Sequence, residues 1–258
     1  MKKIALATVA IVAMALPSAN AATKPIAASV GSIFTPAVAA ENFVQSGKVS
    51  VFYSNTVGKN ADISLTAIDI TGTQLWTRII DSGADEAVTA ATVDSSGNIW
   101  LVGASAELLP VETPTSIAGL DNPDAVSLDG ISPLRSDMNQ LTLWKITPAG
   151  EVAATFTHPE KSLPLPSAIS VNSSGISIAG QLDGKPMMIS VSTTGVFGKE
   201  IHLGTSKTII NAVVRSSDGS TSLFGSSTET LGGKKLAAIR DGVLIKVSKV
   251  GAITTVVR

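Results

Sequence analysis

Glycine-centred turns divide the chain into short β-rich runs of two kinds. The first kind is an apolar run, a polar turn with Gly, and a second strand-like run. Its copies are Ile63–Ile80 around Gly72, Leu141–Phe156 around Gly150, Met187–Leu203 around Gly195 and Val243–Val257 around Gly251. The second kind is a short apolar run, a Ser/Asn/Asp-rich turn with Gly, and an alternating strand. Its copies are Val38–Tyr53 around Gly47, Ala87–Gly103 around Gly97, Ala168–Gly180 around Gly175 and Ile210–Gly225 around Gly219. Runs rich in β-branched residues and bounded by such turns read as β-hairpins. From the first kind to the next copy of the second, the turn glycines stand 25, 25 and 24 residues apart, a self-similarity that marks a repeat architecture.

Two hairpins make four strands, one blade of a β-propeller. Eight hairpins therefore predict an all-β chain of four four-stranded blades. The chain opens on a lone hairpin of the second kind and closes on a lone one of the first. Pairing Val243–Val257 with Val38–Tyr53 would complete a blade from the two termini and close the ring, covering the sheet edges. An open β-sandwich and a capped solenoid fit the same pattern. Leu141, Leu143, Trp144 and Ile146 do not alternate strictly, nor do Met187, Met188, Ile189 and Val191, nor Val243, Leu244, Ile245 and Val247. Such strands are expected to be buried on both faces, between neighbouring blades.

Asp62-Ile63-Ser64-Leu65 through Gly72 and Leu75-Trp76, then Asp94-Ser95-Ser96-Gly97-Asn98-Ile99-Trp100-Leu101-Val102-Gly103, resemble the bacterial β-propeller repeat known as SBBP. In the later units Asn172 and Ser216 stand where the turn Asp falls. The resemblance implies a propeller in a secreted or surface protein. It implies no particular chemistry, because propellers host many functions.

Lys2 and Lys3, the uncharged run Ile4–Leu16, Pro17 and Ala19-Asn20-Ala21 have the order of a secretory signal peptide over residues 1–21. Thirteen apolar residues reach about 20 Å, short of a bilayer core of about 30 Å. The expected mature chain is a single propeller domain over residues 22–258, secreted to the cell envelope or beyond.

Composition narrows the partners. Charged residues are 15% of the chain and the net charge is −1, while 31 Ser and 25 Thr supply the polarity. Without clustered Lys and Arg, nucleic acid is not an expected partner. No cysteine excludes disulfides, thiolate metal sites and Cys nucleophiles. The two histidines, His158 and His202, have no nucleophile motif beside them. Asp94-Ser95-Ser96-Gly97-Asn98 has one acid where calcium usually takes several, so it reads as a hairpin turn. Trp76, Trp100 and Trp144 lie in strands and are assigned to the core. No catalytic residue, metal ligand or cofactor is expected. No acid pair stands out from spacing alone.

One insertion stands out. Residues 104–138 separate two hairpins by about 28 extra residues and carry Pro110, Pro114, Pro123 and Pro133. They hold six acids, Glu107, Glu112, Asp121, Asp124, Asp129 and Asp137, against one base, Arg135. Long loops inside compact domains are often functional, so these seven residues form the candidate binding loop. A second connection, Thr228–Asp241, carries Lys234, Lys235 and Arg240. The expected function is a secreted, non-enzymatic, monomeric propeller presenting loops to a protein or glycan. The alternatives are a hydrolase or lyase with its site at the central mouth, and a purely structural envelope component.

Overall fold

The computed structural model describes residues 40–58, 60–107 and 137–258. Residues 1–21, where a signal peptide is expected, and Glu112, Asp121, Asp124, Asp129 and Arg135 of the insertion, lie outside the described residues. Among those described, all regular structure is β, in sixteen strands and four antiparallel sheets. Blade 1 is β1 (Asn42–Ser46), β2 (Val49–Val57), β3 (Ala61–Asp69) and β4 (Gln74–Ile80). Blade 2 is β5 (Glu86–Val93), β6 (Ile99–Ser105), β7 (Gln140–Ile146) and β8 (Val152–Pro159). Blade 3 is β9 (Pro164–Asn172), β10 (Gly175–Leu182), β11 (Lys185–Val191) and β12 (Ile201–His202). Blade 4 is β13 (Thr208–Arg215), β14 (Thr221–Ser227), β15 (Asp241–Val247) and β16 (Ile253–Val257).

The expected four four-stranded blades are present, and each is a meander in chain order. Every blade takes a hairpin of the second kind followed by one of the first. The termini therefore do not share a blade: β1 pairs with β2, and β16 with β15. The expected pairing of Val243–Val257 with Val38–Tyr53 in one blade is thus overturned. The physical reason is loop entropy, since β2 and β3 join through a tight connection while the termini are far apart in sequence.

The turn chemistry explains why the hairpins form where they do. Gly97 N–H donates to Asp94 O at 3.0 Å, and Gly97 takes φ +82°, a conformation open to glycine at little cost. Asp94 Oδ1 accepts from the Ser96 and Asn98 amides, each at 2.9 Å. Asp94 Oδ2 accepts from Asn98 Nδ2 at 2.9 Å and Trp100 Nε1 at 3.0 Å. Burial opposes ionisation of this carboxyl, but the bonds from Asn98, Trp100 and Ser96 outweigh it and hold its pKa below the ordinary value. Asp94 is a turn organiser, as its sequence context indicated.

Three apolar clusters join the blades in succession. Val51, Leu65, Leu101 and Trp144 lie between blades 1 and 2; Trp100, Leu143, Ile178 and Ile189 between blades 2 and 3; Ala179, Met188, Leu223 and Ile245 between blades 3 and 4. Strand β7 meets the expectation of two buried faces, with Trp144 in the first cluster and Leu143 in the second. Strand β15 does not. Leu244 lies in register between Phe224 and Val257, which are 43% and 47% exposed. Among the described residues no apolar cluster covers that face of blade 4.

One glycine recurs for a packing reason. A Cβ on Gly103, Gly180 or Gly225 would lie 1.8, 2.3 or 1.9 Å from the carbonyl oxygen of Ala87, Leu165 or Ile209. Each faces a bulge in the first strand of its blade, which leaves Thr89, Ser167 and Asn211 out of register.

Candidate functional site

The bulged residues matter because they line a central space. Thr89, Ser167 and Asn211, with Asn42, Phe43 and Tyr53, border a 290 Å³ hollow shared by all four blades. Its lining contains no carboxylate, histidine, lysine or arginine. Tyr53 is the titratable side chain in that lining, and burial, then the negative charge of Glu41, pushes its phenol above the ordinary value.

A larger cavity, 640 Å³, opens between blades 1 and 2. One wall is β4, through Arg78, Ile79 and Ile80; the other is β7 and β8, through Thr142, Trp144, Thr155 and Thr157. Two contacts fasten blade 1 onto the β7–β8 turn. Trp76 Nε1 donates to Pro148 O at 3.0 Å, and Arg78 Nε donates to Gly150 O at 2.9 Å. Arg78 Nη2 also pairs with Glu151 Oε1 at 2.5 Å. Inside, Ser105 and Thr142 share a buried hydroxyl–hydroxyl bond of 2.7 Å.

The root of the insertion enters this cavity. Ser105, Ala106 and Glu107 line it from one end of the loop and Gln140 from the other. The insertion begins later than its sequence boundary, since Ala104 and Ser105 are buried in β6. Of the seven candidate loop residues, Glu107 borders the cavity, and Asp137 is exposed where the chain re-enters β7, its carbonyl accepting from Asn139 N at 2.8 Å. The other five lie outside the described residues.

Three acids that sequence spacing did not single out converge beside the cavity. Asp62 is near the start of β3, Asp81 follows β4, and Glu86 begins β5. One carboxylate oxygen from each lies within 4.8 Å of the others. Glu86 is 1% exposed. Its Oε1 accepts from the Ser82 amide at 3.0 Å and from the Ser82 hydroxyl. Glu86 Oε2 and Asp62 Oδ1 are buried without a hydrogen-bond partner. Asp81 Oδ1 accepts from Gly83 N at 2.7 Å. Burial, and then the negative charges of Asp62 and Asp81, push the Glu86 carboxyl above its ordinary value against the bonds from Ser82. The density of acids in Asp81-Ser82-Gly83-Ala84-Asp85-Glu86 was a visible signal. The Ile63–Ile80 hairpin that sets Asp62 beside Asp81 was also readable, but the docking of Glu86 against its open end was not. The three carboxylates together form a convergent, oxygen-only donor set.

The remaining singled-out residues have structural roles. His158 Nδ1 lies 3.1 Å from Glu160 Oε1, with its ring 5.1 Å from that of Phe197. His202 Nδ1 lies 3.3 Å from Glu200 Oε1. Burial and the nearby Glu200 push the Glu160 carboxyl up, and His158 opposes them. Trp100 stacks on Phe156 with centroids 6.3 Å apart in the core between blades 2 and 3. In the second long connection, Arg240 Nη1 donates to Ser226 Oγ at 3.2 Å and Arg258 Nε to Lys234 O at 3.2 Å, so the segment is tied to blade 4.

No family model and no curated protein matches the chain. Solved structures similar to it include a Bacteroides caccae protein of unknown function, at TM-score 0.45 and 9% identity over 83% of this chain and 59% of that one. They also include the Dos1 propeller, at TM-score 0.44 and 10% identity over 83% and 59%. The nidogen/laminin complex is a third, at TM-score 0.43 and 10% identity over 83% and 61%. The chain spans about three fifths of the length of these structures. The resemblance to the bacterial β-propeller repeat rests on the residues quoted for it and implies a propeller; four four-stranded antiparallel sheets are observed. Among the described residues no helix is long and apolar enough to cross a membrane.

Proposed function

We propose that the chain is a secreted, non-enzymatic β-propeller protein that binds a protein or glycan through its insertion and the cavity that Glu107 lines. The observation that carries this reading is the position of Glu107: the acidic insertion is rooted on the lining of the 640 Å³ cavity between blades 1 and 2. That cavity mixes apolar Ile79, Ile80 and Trp144 with polar Arg78, Gln140, Thr155 and Thr157, a lining suited to orienting a polar ligand against an apolar wall. A central catalytic site is disfavoured by the uncharged lining of the central hollow. Secretion is supported by the order of residues 1–21.

Deleting residues 108–136 tests the reading while sparing buried Ala104 and Ala106. The wild-type chain is expected to be retained on an immobilised glycan panel or by extracted cell-surface proteins. The deletion variant is expected to lose that retention with its thermal unfolding unchanged. Equal retention by both proteins would overturn the assignment.

A further inference from the structure

We propose that Asp62, Asp81 and Glu86 form a binding site for a hard divalent cation, with Ca²⁺ as its ion, at the junction of blades 1 and 2. The proposal does not rest on the loop-binding function. Two observations carry it together. Three carboxylates, Asp62 in β3 and Asp81 and Glu86 from the stretch that joins β4 to β5, each place an oxygen within 4.8 Å of the others, a spacing that one ion contacting all three permits. Within that cluster Glu86 Oε2 and Asp62 Oδ1 are buried and unpartnered, although Glu86 is 1% exposed. Buried carboxylate oxygens ordinarily have a donor or a cation, because stripping them of water costs free energy that nothing else returns. Among the described residues none of the three forms an ion pair.

The chemistry of the donors selects the ion. Oxygen ligands without imidazole or thiolate favour Ca²⁺ and Mg²⁺ over zinc or copper. Mg²⁺ is usually held by one or two carboxylates and keeps most of its water, whereas Ca²⁺ accepts several carboxylates in irregular geometry. Asp81 and Glu86 also border the 640 Å³ cavity, so water can complete a shell of six to eight oxygens from that side. The site would clasp the β3–β4 hairpin of blade 1 to the first strand of blade 2. Bound cation should therefore stabilise the fold as well as neutralise the cluster.

The test is Ca²⁺ titration of the full chain after EDTA treatment and dialysis, read by calorimetry and by the unfolding midpoint. One Ca²⁺ per chain is expected, with a dissociation constant of about 0.1–1 mM, the class of extracellular modules. Mg²⁺ should bind more weakly. Asp81→Asn and Glu86→Gln should each weaken Ca²⁺ binding roughly tenfold or more and remove the Ca²⁺-dependent rise of the midpoint. Both should still unfold cooperatively in EDTA, which separates ligand loss from misfolding. Asp183→Asn, at an exposed acid between β10 and β11 and outside the cluster, should bind as wild type does. No heat and no midpoint shift at about 10 mM CaCl₂, above that affinity class, would overturn the site. So would undiminished binding by Glu86→Gln, while tighter binding of Mg²⁺ would overturn the choice of ion.

Discussion

The first and third blade junctions solve opposite charge problems. Between blades 3 and 4 a guanidinium is held, among the described residues, without a carboxylate. Arg215 Nε donates to Ser174 Oγ at 3.0 Å, Nη1 to Ser177 Oγ at 3.0 Å and Ser190 Oγ at 3.4 Å, and Nη2 to Ser174 O at 2.9 Å. Between blades 1 and 2, Asp62, Asp81 and Glu86 converge without an ion pair among the described residues. The difference follows from what each group needs. A guanidinium only donates, and hydroxyl and carbonyl oxygens satisfy it wherever the chain is rich in serine. Carboxylates only accept, they repel one another, and at this junction Ser82 provides for one oxygen of Glu86 and leaves the other bare. The Ser-rich, charge-poor composition therefore suits the third junction and leaves the first in want of a cation.

Four measurements break or sharpen this contrast. The largest effect is expected in the apolar parts, where the junctions should behave alike. Leu65→Ala in the first cluster and Met188→Ala in the third remove buried side chains and should each cost about 2–5 kcal/mol in urea unfolding. A large inequality between them would mean that the junctions differ in more than their charges. Next, Arg215→Met strips the donors from Ser174, Ser177 and Ser190 and should cost about 1.5–3 kcal/mol, the scale of a hydrogen bond to a charged group. Retention of full stability by that variant would show that hydroxyls do not hold the guanidinium in place.

A smaller and pH-dependent effect is expected at Glu86. Its folded pKa lies above its unfolded value, so the folded chain holds the proton more tightly. This group's contribution to stability should therefore rise as pH falls through the raised folded value towards the ordinary 4.5, and level off below it. Thermal unfolding in EDTA should show wild type gaining on Glu86→Gln over that range, and parallel curves would contradict the repulsion. The smallest effect belongs to the Arg78–Glu151 pair at the cavity mouth. Both side chains are solvent-exposed, so Glu151→Gln should change stability by about 0–1 kcal/mol and less at high salt.

Several features were legible because their causes are local. The Asp94 turn was readable as a turn because the groups that satisfy its carboxylate, Ser96, Asn98 and Trp100, lie within six residues of it. The double burial of β7 was readable because Leu143 and Trp144 are adjacent and both apolar. Strand β15 has the same pattern, yet Leu244 and Phe224 face outwards, because apolarity on a face does not say whether a neighbour covers it. Glu107 was readable as belonging to an unusual loop. The cavity beside it was not, since its walls come from β4, β7 and β8.

The sequence by itself determined the eight hairpins and the four-blade count, because turn hydrogen bonds, glycine dihedrals and two-residue alternation act over a few positions. It did not determine which hairpins share a blade, because the repeat reads equally well with either kind first. Only the tertiary structure decided that each blade is contiguous, and that Glu86 of blade 2 meets Asp62 and Asp81 at the open end of the β3–β4 hairpin. Those outcomes depend on which strand ends the sheet register brings together, and composition carries no record of that distance.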